Sequence, residues 1–239
     1  MVLKDFIYKL RQDFSNLRKY PINKLNRSTA DYDYYWSQKR QGEESVLSSW
    51  QKQRADKVLE MIESGSTVID FGCGDGAVLK YMKDKKDING IGVDVSTEAL
   101  KKAKNLGLEV IKANISNLDS LSDLPEVDYI FGFEIIEHMP SPEEFIAKIK
   151  NKAKRALIFS VPNSGYFVHR LRLLFGRFPL QWLTHPGEHL RFWTVKDMKW
   201  WIGAMNLKLD KIVIYEGLPI FNKLMPKLFG QGIIVKIKK

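Results

Sequence analysis

Val68-Ile69-Asp70-Phe71-Gly72-Cys73-Gly74-Asp75-Gly76 is the stretch that decides how this chain folds. A short apolar run breaks into glycines, the pattern of a first parallel strand turning into its helix. Glycines there let the backbone turn tightly and come close to a ligand. Gly72-x-Gly74-x-x-Ala77 also fits a dinucleotide fingerprint, so the glycines alone do not choose the ligand. The charges do. A pyrophosphate at a helix N-terminus needs bare amides and no nearby anion, whereas Asp70 and Asp75 flank this loop. S-adenosyl-L-methionine (SAM) has no phosphate and carries a sulfonium and an ammonium, which carboxylates attract. The loop favours SAM over NAD.

Downstream spacing agrees. Asp94 ends the next strand (GIGVD), where its carboxylate can accept both ribose hydroxyls. Asn114 ends the third, where its amide can address an adenine edge with Ile115 against the ring. Each could instead cap a helix, but both standing at these positions after the glycine loop points to a site. The candidate cofactor-binding set is Asp70, Gly72, Cys73, Gly74, Asp94, Val95, Asn114, Ile115 and Phe133.

Working outward, apolar runs at 67–71, 90–95, 108–113, 127–133 and 156–161 alternate with helical patterns at 77–82, 97–105 and 143–151. A helix at 194–205 and strands at 207–215 and 232–237 close the domain. Continuous apolar strands alternating with helices imply a parallel sheet covered on both faces. The expected fold is α/β: a Rossmann-like, doubly wound, mostly parallel seven-stranded sheet with an antiparallel last strand. The last two strands, joined by a loop without a clear helix, fit an antiparallel edge pair. Residues 44–63 read as a helix ending at Ser64-Gly65, so the domain is expected over 44–239 behind an N-terminal extension of 1–43.

That extension is basic and amphipathic. Leu3, Ile7, Leu10, Phe14 and Leu17 form one apolar stripe, flanked by Lys4, Lys9, Arg11 and Arg18, with Pro21 expected to end the helix. The helix is too short to stand alone, so the stripe is expected to dock on the protein's own body or a dimer mate, with membrane as the rival. Residues 20–42 are polar and aromatic (DYDYYW) and suggest no element.

The acid-flanked GxG loop and the strand-end acid resemble class I SAM-dependent methyltransferases over about 44–237. Within that class, ALIFSVPN at 156–163, Gly165 and His189-Leu190-Arg191-Phe192 resemble the MetW family of methionine-biosynthesis proteins. Phe133-Glu134-Ile135-Ile136-Glu137-His138 is more similar to ubiquinone-type O-methyltransferases. The resemblance implies methyl transfer from SAM to a small-molecule acceptor, at oxygen if a base is present. The alternative it implies is a non-catalytic, MetW-like regulatory partner of a biosynthetic acyltransferase.

Glu134-x-x-Glu137-His138 follows the fourth strand, at the sheet edge where ligands sit in doubly wound folds. Glu134 and His138 are the candidate catalytic residues, His138 as general base. Capping the following turn and holding a divalent metal are the other readings, and no residue is assigned to a metal. Residues 163–193 form an insertion expected to roof the acceptor site, with Arg170, Arg172 or Arg191 available to an anionic acceptor.

Charge and composition bound the rest. The 239 residues carry a net +10, and residues 1–30, 163–193 and 222–239 together hold +13, leaving the remainder about −3. Basic periphery around a mildly acidic body suits an anionic acceptor such as a sugar or lipid, or peripheral contact with an anionic membrane. No recognisable nucleic-acid module accompanies the charge, so nucleic acid is disfavoured. The start lacks the apolar core of a secretory leader, and a single cysteine, Cys73, excludes an internal disulfide. Both features predict a cytoplasmic protein. A homodimer is left open.

Overall fold

A computed structural model describes residues 2–19, 32–38, 47–181 and 189–239. Seven strands form one sheet: β1 (Ser66–Phe71), β2 (Ile88–Asp94), β3 (Glu109–Lys112), β4 (Val127–Phe133), β5 (Ala153–Pro162), β6 (Lys208–Tyr215) and β7 (Gly232–Lys238). Their order is β3-β2-β1-β4-β5-β7-β6. The first five are parallel, and β7 runs antiparallel between β5 and β6. The Rossmann-like sheet with its antiparallel last strand is as the sequence predicts.

Alternation along each strand builds two cores. In β1, Ile69 and Phe71 enter a cluster with Phe145, Ile146, Phe159 and Met198, under α6 (Pro142–Ile149) and α8 (Val195–Ala204). Val68 faces the other side, with Ala55, Val58, Leu79 and Met82 of α3 (Ser49–Leu59) and α4 (Ala77–Lys85). Successive strand side chains point to opposite faces, and both faces are dry. The parallel order brings the C-terminal ends of β1, β2 and β4 together, with α5 (Thr97–Asn105) following β2.

Several elements differ from the sequence reading. The helix expected from residue 44 begins at Ser49, because Ser48 accepts from the Gln51 amide and Gln51 returns the bond in a capping box. Residues 44–46 and Pro21 lie outside the described residues. The aromatic stretch contains α2 (Tyr32–Gln38), the insertion contains α7 (Phe167–Leu174), and the β6–β7 connection holds two single turns, α9 (Phe221–Leu224) and α10 (Pro226–Phe229). Helix α2 is held by tertiary bonds: Asp33 Oδ1 accepts from Ser96 Oγ at 2.6 Å and from the Glu98 amide at 3.2 Å. Lys102 Nζ donates to the Trp36 carbonyl at 2.7 Å. Local propensity carries no trace of those contacts.

Helix α1 (Val2–Arg18) docks on α7 of its own chain, through a face that takes in only part of the apolar stripe, the half-buried Leu10 and Leu17. Tyr166 donates to the buried Asp13 carboxylate at 2.6 Å. Arg172 donates to the carbonyls of Asn16, Leu17 and Lys19, and Arg177 to those of Leu17 and Arg18. These guanidinium groups satisfy the orphan acceptors at the C-terminus of α1 and oppose its dipole. Leu3, Ile7 and Phe14 of the stripe stay exposed, because the bonds at Asp13 and at the helix end set its rotation. Among the described residues no helix is long and apolar enough to cross a membrane.

Candidate active site

The glycine loop is fastened to β2. Gly72 and Cys73 amides both donate to the Val93 carbonyl, at 2.7 and 3.2 Å. Asp94 Oδ2 accepts from the Gly74 amide and Oδ1 from the Ser96 amide, each at 2.9 Å. One carboxylate thus bridges the loop and the start of α5. Gly74 has φ +56°, and a Cβ there would lie 2.5 Å from the Trp36 ring, so α2 walls the loop on one side. A Cβ on Gly72 would lie 2.5 Å from Ile135, so the segment after β4 walls the other.

Asp70 is 2% exposed, and its Oδ1 meets no hydrogen-bond donor among the described residues. Burial pushes its carboxyl up to about 7, with Arg54 opposing and Asp94 adding to the rise. A buried acid without a donor fits a cationic ligand group beside it, as SAM would supply. Cys73 is a buried, unreactive thiol, pushed far up by burial and by Asp70, Asp94 and Asp75.

The other expected cofactor residues follow the ends of β2 and β3 or close β4. Val95 is half-buried beside Asp94. Asn114 is exposed and accepts from the Ser116 amide at 2.9 Å, while half-buried Ile115 packs on the core. Phe133 stacks on Phe131 at 5.3 Å, with the Arg54 guanidinium 4.9 Å above its ring.

Next to the loop, across β4, lies an acid and histidine cluster. Glu134 follows β4 with φ +57°, and its amide donates to the Ser160 carbonyl at 3.0 Å. Its Oε1 accepts from Ser160 Oγ at 2.8 Å and Tyr215 Oη at 3.4 Å, and pairs with Arg54 at 3.6 Å. Glu137 sits in a 3-10 turn, Ile136–His138, and is 1% exposed. Neither carboxyl oxygen meets a donor among the described residues. Burial, then the neighbouring Glu134, push its carboxyl well above the usual carboxylate range.

The Glu137 carbonyl accepts from the Leu190 and Arg191 amides, at 2.8 and 3.1 Å. Those bonds bring His189 from the insertion to His138, with ring centroids 4.7 Å apart and the rings nearly perpendicular. Burial and His138 hold His189 down to about 4, which leaves it neutral at neutral pH. One ligand atom each from Glu137, His138 and His189 lie within 4.8 Å of one another. One carboxyl and two imidazoles are a donor set that suits a borderline divalent cation.

A cavity of about 340 Å³ opens over this cluster. Glu134, Glu137, His138 and His189 line it, together with Asp13 and Asn16 of α1, Tyr166 at the start of α7 and His169 within it. The three arginines considered for an anionic acceptor have other partners. Arg170 Nε donates to the Gly165 carbonyl, Arg172 holds the end of α1, and Arg191 donates to the Pro140 carbonyl and pairs with Glu143. Arg54, Ser160, Tyr215 and His189 were not among the sequence candidates. His189 and Ser160 stand in quoted strings, HLRF and ALIFSVPN, and nothing in the chain ties either string to Glu134 or Glu137.

A family model described as "Methionine biosynthesis protein MetW" matches residues 52–236. The chain belongs to the MetW family. A curated MetW relative, the bifunctional methionine biosynthesis protein MetXA/MetW of Rhodopirellula baltica, is 26% identical over 178 residues, which cover 67% of this chain and 28% of that protein. The mitochondrial ubiquinone biosynthesis O-methyltransferase of Candida albicans is 29% identical over 148 residues, 57% of this chain and 45% of that one. This MetW-family chain therefore spans less than half the length of these curated relatives. Among solved structures, magnesium protoporphyrin IX methyltransferase from Synechocystis, with bound SAH, aligns with a TM-score of 0.58 at 13% identity, covering 100% of this chain and 98% of that one. The fold is that of SAM-dependent methyltransferases.

Proposed function

We propose that this MetW-family protein is a SAM-dependent O-methyltransferase that acts on a small hydroxylated acceptor. The carrying observation is Glu137: a buried carboxyl with no donor for either oxygen among the described residues, lining a cavity beside His138 and His189 and next to the glycine loop. SAM supplies an electrophilic methyl carbon on a sulfonium. Asp70 and Asp94 hold the cationic and ribose ends of that ligand, and the loop glycines admit its close approach. The His138–Glu137 pair takes the acceptor hydroxyl proton as the new C–O bond forms and the C–S bond breaks. A divalent cation on Glu137, His138 and His189 would acidify that hydroxyl and orient it. Glu134, held by Ser160, Tyr215 and Arg54, positions the Glu137 carboxyl. The cavity walls of α1 and α7 exclude water and align the reacting atoms.

Calorimetry with SAM and its demethylated product tests the first step. Asp94→Ala is expected to weaken binding by about 1–3 kcal/mol, since it unties the Gly74 and Ser96 amides. Affinity is also expected to depend on pH through Asp70. A cation at its carboxyl lowers a pKa raised to about 7, so below that pH binding must expel a proton. Affinity then falls by up to about tenfold per pH unit on acidification and is flat above. In Asp70→Asn that slope disappears. No SAM binding at millimolar concentration overturns the proposal. Binding with no transfer to any acceptor in a panel of sugars, catechols and hydroxylated acids favours the regulatory-partner reading.

A further inference from the structure

We propose that α1, with the adjoining ends of α7 and α9, forms a surface that binds anionic phospholipid membranes. At 100° per residue, Leu3, Ile7 and Phe14 fall within about 40° of one another around α1, and Lys4, Arg11 and Arg18 fall within about 40° in a neighbouring row. The first three are 69%, 42% and 58% exposed, and the three cations are exposed beside them. An apolar row edged by a cationic row along a helix of about 25 Å is the arrangement of a helix lying in a membrane interface.

Neighbouring elements extend the surface at both ends of α1. At its C-terminus, the Arg172 and Arg177 bonds bring up the end of α7, where Leu174 and Phe175 are 75% and 72% exposed. Phe14, Arg18 and Lys19 there line a groove of about 570 Å³. At its N-terminal half, Phe6 meets the Phe221 ring at 6.1 Å, beside Leu224, 72% exposed, and Lys223 and Lys227. On α1, α7, α9 and α10 the exposed acid is Asp5; Asp13 is buried.

Charge selects the occupant. A two-fold contact through this face would set its cationic row against itself, whereas an anionic bilayer neutralises every cation and takes up the apolar side chains between them. Leu3, Ile7 and Phe14 are exposed with α1 docked, so the helix needs no rearrangement to bind.

The full-length protein is tested by co-sedimentation with phosphatidylcholine vesicles, with and without phosphatidylglycerol. Binding is expected only to the vesicles containing phosphatidylglycerol, and weaker as salt rises. Arg11→Glu and Arg18→Glu are each expected to lower partitioning about fivefold or more, and the double variant Ile7→Glu/Phe14→Glu to abolish it. Thermal melts should match the wild type, because these side chains are exposed and lie off the docking face. Failure to bind vesicles containing phosphatidylglycerol overturns the proposal, as does binding that the variants leave unchanged. A dimer in light scattering that the Ile7→Glu/Phe14→Glu variant dissociates also overturns it, in favour of a second copy. None of these readouts depends on methyl transfer.

Discussion

His138→Ala and Glu137→Gln are each expected to cut turnover by roughly 10²–10⁴ while leaving SAM affinity nearly intact. Neither residue belongs to the glycine loop, and both line the acceptor cavity. The two substitutions act differently. His138→Ala removes the proton acceptor, so its residual rate should climb with pH as hydroxide takes over. Glu137→Gln keeps the volume and replaces a carboxyl ligand with an amide, which costs most if a cation is held there. Exhaustive chelation followed by back-titration with Mg²⁺, Mn²⁺ or Zn²⁺ separates the two roles. Loss on chelation and recovery with one ion assigns the cluster to metal-assisted transfer. Insensitivity to chelator, with a large His138→Ala effect, assigns it to general base catalysis. Labelled SAM and an acceptor panel give the rate. Activity that survives both chelation and His138→Ala leaves these residues a capping role only.

Arg54→Leu should destabilise the fold by about 3–5 kcal/mol, the cost of leaving buried acids without their counter-charge. Arg54 is 5% exposed, pairs with Glu134 and lowers the pKa of Asp70, Glu134 and Glu137. Without it these carboxyls bind protons still more tightly in the folded state than in the unfolded one. The folded protein must then hold protons that the unfolded chain releases as pH rises, so the loss should grow from pH 5 to pH 8. Adding Glu134→Gln to Arg54→Leu should recover part of the loss, which a double-mutant cycle in urea measures. A single-mutant effect below about 1 kcal/mol, flat with pH, would rule out this role.

The sheet was legible because each of its strands is a dense apolar run bounded by polar or glycine residues, and period alone identifies it. The glycine loop was legible because its chemistry is local: nine consecutive residues hold both the turn and the acids. What was not legible depends on contacts between distant segments. Arg54 and Glu134 are 80 positions apart, and His138 and His189 are 51 apart. Arg54 on its helix reads as an ordinary solvated cation until the fold turns it under the sheet edge. The stripe on 3–17 marks a helix that docks on its own chain, but only Leu10 and Leu17 of it turn inward, because a buried Asp13–Tyr166 bond and two arginines at the helix end set the rotation.

The placement of β7 between β5 and β6 has a bearing on biosynthesis. A ribosome delivers β6 before β7, yet β6 makes its sheet bonds to β7 alone. During elongation β6 therefore emerges with no ladder to join, and its apolar face, with Ile212 and Ile214, waits in an incomplete domain. The β5–β7 ladder, pairing Pro162 with Gly232 through Ala156 with Lys238, cannot form until β7 is made, whether or not β6 and β7 pair with each other beforehand. The final cooperative step is thus tied to about seven late residues, whose ladder partners lie some 70–80 positions upstream, which makes it a slow step of high contact order. Nascent chains stalled before residue 232 should stay protease-sensitive, and those extended past residue 238 and clear of the exit tunnel should become resistant.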